Sequence, residues 1–142
     1  MKIKIKRFDT DLPLPEYKTA GAAAFDLAAR VTTTIEPQHI GYVPLNIAIQ
    51  LPENYWALVA ARSSLHKRGL VPANGIGVGD YDFRGDGDEY CAVVFNYTQK
   101  SVTVERGERI YQMIILEREK AEFEEVSEFN AEDRGGFGTT GR

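Results

Sequence analysis

The apolar residues of this chain come in short, β-branched runs separated at close intervals by turn-forming residues, and that spacing suits many brief strands rather than long helices. Residues 1–7 alternate Lys2, Lys4 and Lys6 with Ile3 and Ile5, the period of a half-buried strand. Leu12-Pro13-Leu14-Pro15 is extended, because each proline fixes its own φ and restricts the residue before it. Residues 21–30 are alanine-rich and open to a helix, but Phe25-Asp26-Leu27 leading into residues 31–35 fits a strand entering a β-branched run. Two further runs, 41–51 and 55–61, flank Pro52-Glu53-Asn54 and predict a hairpin. Residues 62–69 hold the one segment with the makings of a helix of useful length, ending at Gly69. Runs at 90–97, 102–104 and 109–116 supply three more strands. About eight or more short strands with one brief helix imply an all-β fold: a sandwich, jelly roll or barrel.

At 142 residues the chain fits a single domain with one core. Its 17 basic and 21 acidic residues give a net charge of -4, which argues against nucleic acid or an acidic membrane as a partner, so any phosphate site must be local. The single cysteine, Cys91, excludes an intrachain disulfide framework. With no apolar signal segment and no apolar span of about 18 residues, the expectation is a cytosolic protein that is not secreted. His39 and His66 stand far apart without partner cysteines, which disfavours a zinc site.

The chemistry concentrates in residues 74–86, NGIGVGDYDFRGD. Gly75, Gly77 and Gly79 bare the peptide groups, so a planar ligand can touch backbone directly. Asp80 follows at once, and a carboxylate at the end of such a strip can orient and deprotonate water. A dinucleotide loop would need a helix after the glycines, and Tyr81-Asp82-Phe83 with Gly85 close behind starts none. A calcium loop counted from Asp80 would place Arg84 and Cys91 at ligand positions. Arg84-Gly85-Asp86 is a three-letter adhesion match with no secretion signal behind it. A polar turn holding two strands stays open beside the functional reading.

From Glu117 the chain turns acidic and ends DRGGFGTTGR, too poor in apolar residues for a core. It is either a frayed end or a mobile arm. Arg134 can grip phosphate oxygens and Phe137 can stack on a base, so an arm carrying both could close over a nucleotide.

Five segments in order resemble the motifs of the trimeric dUTP pyrophosphatases (dUTPases): AGAAAFDLAA at 20–29, ARSSL at 61–65, NGIGVGDYDFRG at 74–85, GERIYQMI at 107–114 and RGGFGTTG at 134–141. The resemblance implies a distorted jelly-roll-like β domain over residues 1–128, with a flexible glycine-rich arm at 129–142. It further implies a homotrimer with shared active sites that hydrolyses dUTP to dUMP and pyrophosphate with Mg2+, keeping uracil out of DNA and supplying dUMP for dTMP synthesis. Asp80 matches the general base. Arg62, Ser63, the Ser64 amide, Gln112 and Arg134 match the groups that hold the phosphate chain. Arg62 equally suits an ion pair to Asp26 across a subunit interface. Backbone of Asn74, Gly75, Gly77 and Gly79 would pair with uracil, and a mismatched base edge costs about 1–3 kcal/mol, enough to discriminate. Phe83 would pack under deoxyribose, and Phe137 would cap the base. Asp26 would reach magnesium through water, or else serve as a cap or an interface ion pair.

Four positions depart from the family pattern. Ala24 replaces a glycine, Gly79 replaces an isoleucine or similar residue, and Phe83 replaces a tyrosine. Arg134-Gly135-Gly136-Phe137 is two residues shorter than the usual Arg-Gly-x-Gly-Gly-Phe, which at roughly 3.3 Å per residue shortens the reach by up to about 7 Å. The nearest rival is a dCTP deaminase-like enzyme, which shares an Arg-Ser-Ser-Leu segment. It needs a glutamate on the strand that here reads Cys91-Ala92-Val93-Val94-Phe95-Asn96. A non-catalytic nucleotide-binding module is the alternative of a different class.

Overall fold

The computed structural model describes residues 1–138 and residue 141, so Thr139, Thr140 and Arg142 of the glycine-rich segment lie outside the described residues. Eleven strands follow one another: β1 (Lys4–Arg7), β2 (Phe25–Ala28), β3 (Thr33–Ile35), β4 (Ile40–Pro44), β5 (Ile47–Gln50), β6 (Tyr55–Ala61), β7 (Leu70–Pro72), β8 (Gly77–Gly79), β9 (Cys91–Asn96), β10 (Val102–Val104) and β11 (Arg109–Glu117). They form a four-stranded sheet β2-β11-β6-β8, a three-stranded sheet β4-β9-β7, and the pairs β1-β5 and β10-β3, all antiparallel. This is the all-β, distorted sandwich that the run pattern predicts, and no closed barrel forms among the described residues.

Alternation decides which side of each strand faces in. Along β9, Ala92, Val94 and Asn96 are buried while Cys91 is exposed. Leu27, Ile35, Val43, Ile47, Val59, Val94 and Met113 bring β2, β3, β4, β5, β6, β9 and β11 into one hydrophobic cluster. Fully burying a side chain of this kind is worth roughly 1.5–3 kcal/mol, so the shared cluster is what joins four small sheets. Asn96 is wholly buried and tolerated because its amide is satisfied. Its Nδ2 donates to the carbonyls of Ile35 (2.9 Å) and Lys100 (2.7 Å), and its Oδ1 accepts from the Thr98 N–H at 2.9 Å.

Two expectations fail. The predicted hairpin of 41–51 with 55–61 does not form. Asn46, at φ 70, breaks the first run into β4 and β5, which enter different sheets. β5 then pairs with β1, and β6 pairs with β11 and β8. Asn46 is held there by long-range bonds, its N–H donating to Glu89 Oε1 at 2.9 Å and its Oδ1 accepting from the Asp9 N–H at 2.7 Å. The helix predicted within 62–69 is a single 3₁₀ turn, Leu65–Arg68, stopped by Gly69 at φ 84. Leu65 is the only buried residue of that turn, so no apolar stripe exists to stabilise more of it.

After Glu117 the described chain has no strand, and Phe123 and Phe129 are 94% and 88% exposed. Among the described residues no helix is long and apolar enough to cross a membrane.

Candidate active site

β8 is the edge strand of its sheet, paired with β6 through Gly77 opposite Val59 and Gly79 opposite Ala57. A Cβ on Gly77 would stand 3.1 Å from that of Val59, so the close approach of the two strands favours glycine. Ahead of the strand, Asn74 lies in an exposed turn and Gly75 takes φ 73, a left-handed conformation that suits glycine. Beside the strip opens a cleft of about 290 Å³ whose walls include Asn74, Gly77, Gly79, Phe83, Tyr90 and Cys91.

Asp80 leaves the end of β8 exposed, with no salt bridge among the described residues. Its carbonyl accepts the Phe83 N–H at 3.1 Å, which turns the chain so that the Phe83 ring meets Tyr90 edge-on, 5.2 Å between centroids. Asp88 Oδ2 accepts the Gly85 N–H at 2.7 Å and ties the loop together. Burial, with the charges of Asp80 and Asp88 adding to it, pushes the Tyr90 phenol up to about 12. Burial and Glu89 likewise push the Cys91 thiol up.

A second cluster sits on three adjacent strands. β11 runs between β2 and β6, and its register places Gln112 opposite Asp26 on one side and Ala60 on the other. Asp26 binds two guanidiniums, Arg62 Nε at 3.2 Å and Arg109 Nη1 at 3.0 Å. Arg62 Nη1 also donates to the Arg109 carbonyl at 3.0 Å, and Gln112 Nε2 donates to the Ala61 carbonyl at 2.9 Å. Arg62 therefore pairs with Asp26 inside one chain rather than across an interface. Two cations on one carboxylate leave the cluster net positive, which suits an anion. Ser63 and Ser64 are exposed in the turn that follows, and the Ser64 side chain makes no capping bond.

The described residues contain no cluster of three or more His, Cys, Asp or Glu able to hold a metal. Both Asp26 oxygens face guanidiniums, but each retains a lone pair, so a water-mediated contact to a cation fits and a direct cage does not.

One chain thus brings Asp26, Arg62 and Gln112 together, with Ser63 and Ser64 next along the chain. It brings Asn74, Gly75, Gly77, Gly79, Asp80 and Phe83 together separately. The clefts at Asp26 and at the strip share no lining residue. Arg134 and Phe137 join neither cluster: Arg134 is exposed without an ion pair among the described residues, and Phe137 is fully exposed at φ 53. Sequence reasoning missed Arg109 and Tyr90. Arg109 lies an odd number of positions before Gln112, which in a regular strand separates their faces, but the register shifts between Arg109 and Tyr111. Tyr90 gives no local signal, because its contact with Gly79 spans a loop.

A family model for dUTPase matches residues 10–141. The deoxyuridine 5'-triphosphate nucleotidohydrolase of Caldanaerobacter subterraneus subsp. tengcongensis is 44% identical over 147 residues, covering 98% of this chain and 97% of that protein. Among solved structures, the Staphylococcus bacteriophage 80alpha dUTPase with dUPNHPP superposes with a TM-score of 0.86 at 22% identity, covering 99% of this chain and 98% of the other. A mutant dUTPase from phage phi11 of S. aureus, solved for the coordination of a structural Mg(II) ion, gives a TM-score of 0.81 at 18% identity, covering 92% of this chain and 100% of the other. The structures support the fold, while the family model and the full-length identity settle the kinship: the chain belongs to the dUTPase family.

Proposed function

We propose that the chain hydrolyses dUTP to dUMP and pyrophosphate, with Asp80 as the general base, and so acts in nucleotide metabolism. The observation that carries this reading is the junction of two features at β8: a cleft lined by the bared backbone of Gly77 and Gly79, and the exposed carboxylate of Asp80 next along the chain. Uracil lies along Asn74 to Gly79, where peptide groups supply a donor for O4 and an acceptor for N3–H. Cytosine presents the opposite pattern and leaves both unpaired. Deoxyribose then rests on Phe83, whose ring excludes a 2'-hydroxyl by volume. Asp80 takes a proton from water as the water oxygen bonds to the α-phosphorus. The α-phosphorus bond to the bridging oxygen breaks in line, and pyrophosphate leaves.

Arg62, Ser63, the Ser64 amide, Gln112 and Arg134 hold the phosphate chain and offset the charge that develops on it. Asp26 would hold magnesium through a water, and the ion would supply positive charge against the triphosphate. The separation of the two clusters within one chain, and the exposed arm residues, support a homotrimer in which neighbouring subunits complete each site. Residues 129–142 are the arm, and Phe137 caps the uracil. A cytoplasmic setting, or a nuclear one in a eukaryotic or viral host, suits the free thiol of Cys91.

The test is pyrophosphate release with magnesium from dUTP, dCTP, dTTP and UTP in parallel, following ammonia as well. Release from dUTP alone is expected. Ammonia from dCTP would move the protein to the deaminases, and dUTP binding without turnover would make it a binding module.

A further inference from the structure

Gly79 and Tyr90 form a matched pair. A Cβ built on Gly79 would fall 2.4 Å from Tyr90 Oη and 2.8 Å from its Cε1, and 3.0 Å from the Ala57 Cβ. The tyrosine ring therefore occupies the volume that a side chain at position 79 would take. Its backbone is fixed on both sides, with the Tyr90 N–H donating to Ile47 O at 3.0 Å and its carbonyl accepting from the Leu45 N–H at 2.8 Å. The main chain that carries the ring cannot shift without disturbing the start of β5.

The hydroxyl carried into that space is unusual. Tyr90 is 6% exposed, and its Oη is the one buried side-chain oxygen or nitrogen without a hydrogen-bond partner among the described residues. Buried hydroxyls are nearly always paired, because leaving one unmade forfeits its bonds to water. Tyr90 lines the strip cleft at the end where β8 meets Asp80, and Phe83 stands edge-on to it from the far side. Asp88 already accepts the Gly85 N–H, and Glu89 already accepts from Arg30 and the Asn46 N–H.

We propose that Tyr90 is a specificity-determining residue of this site, its Oη donating a hydrogen bond to the 3'-hydroxyl of the bound deoxynucleotide. The inference rests on the reading of the strip as a dUTP site. With uracil on the strip and deoxyribose on Phe83, the sugar arrives where the Phe83 ring borders Tyr90. A 3'-hydroxyl there accepts from Tyr90 Oη and donates its own proton toward the Asp80 carboxylate, which satisfies all three groups. Phe83 has no hydroxyl to offer, so Tyr90 supplies the polar contact from beneath.

Calorimetric titration of the full-length protein with α,β-imido-dUTP and with its 3'-deoxy counterpart tests this. Tyr90→Phe is expected to weaken the first ligand about tenfold, the size of one hydrogen bond, and to leave the second within about twofold. The same substitution should raise the Tm of the free protein, since it removes an unpaired polar atom, and that rise confirms that the variant folds. Equal affinity of Tyr90→Phe and wild type for α,β-imido-dUTP would overturn the inference while leaving the dUTP site standing. So would an equal loss for both ligands, which would detach the hydroxyl from the 3' position. Absence of binding by the wild-type protein would instead remove the dUTP reading and the inference with it.

Discussion

Asp26 and Asp80 are both carboxylates on strands of one sheet, or just past its edge, and their surroundings are opposed. Asp26 keeps 13% of its side chain exposed and lies between Arg62 and Arg109, on β2, the opposite edge strand of that sheet. Asp80 follows an edge strand of three residues, is exposed, and has no cation bonded to it among the described residues. A carboxylate bonded to two guanidiniums is held in place, with both oxygens facing cations. A carboxylate with free lone pairs at the mouth of a cleft can receive a proton from water. Position relative to charge partners, rather than residue type, sets the two carboxylates apart.

The most direct way to break that contrast is Asp80→Asn. Binding of dUTP should persist while turnover falls at least about 100-fold, the low end for losing a general base. Near-normal pyrophosphate release from the variant would remove Asp80 from the mechanism and make it a surface carboxylate.

Deleting residues 134–142 probes the opposite extreme, a segment whose Arg134 and Phe137 are exposed in the single chain. The truncated protein should keep its Tm and oligomeric state, because Arg134 and Phe137 are exposed in the chain that carries them. Activity should drop about tenfold or more through loss of phosphate and base contacts. A full rate after deletion would show that the shortened arm is only a tail.

Legibility follows the same division between local and distant causes. Strands 102–104 and 91–96 were readable because alternation and flanking turn residues are local properties. The hairpin was misread because the left-handed turn at Asn46 depends on Asp9 and Glu89, both far away in sequence. Residues 62–69 looked helical by composition, yet a helix needs an apolar face, and here only Leu65 is buried. At the site, the glycine strip and Asp80 stood out because bared backbone beside a carboxylate is rare in a plain turn. Arg109 did not, because a register shift rather than a residue pattern sets it against Asp26. Tyr90 did not either, since the space it fills is visible only where its ring meets Gly79 of β8.

Gly79→Ala tests that packing directly. The added methyl meets Tyr90 Oη at 2.4 Å and Ala57 Cβ at 3.0 Å, and the Tyr90 main chain is held by two backbone bonds, so the variant should lose about 1–3 kcal/mol of stability by denaturant unfolding. In a Tyr90→Leu background the same change should cost less than about 1 kcal/mol, since the clashing atoms are gone. Equal losses in both backgrounds would mean that Ala57, not Tyr90, sets the limit.

The smallest effect separates two buried phenols, one on each side of the contrast. Tyr111 is on β11 within the scaffold sheet, where its Oη donates to the Val93 carbonyl at 3.3 Å, whereas Tyr90 belongs to the strip cleft and lacks a partner among the described residues. Burial is the leading cause that pushes both from an ordinary value of 10.0 up to about 12, with Asp80 and Asp88 adding at Tyr90 and Cys91 at Tyr111. Between pH 10 and 12 the unfolded chain has released these protons and the folded chain still holds them, so stability present below pH 10 is lost as pH rises through that window. Thermal unfolding across it should show Tm falling in the wild type and falling less steeply in either Tyr→Phe variant. At neutral pH the two variants part: Tyr111→Phe should lose about 0.5 kcal/mol with its long hydrogen bond, while Tyr90→Phe should lose nothing and rise in Tm. Equal losses would show that the Tyr90 hydroxyl already has a partner in the free protein, and the cleft side would then be as fully satisfied as the scaffold.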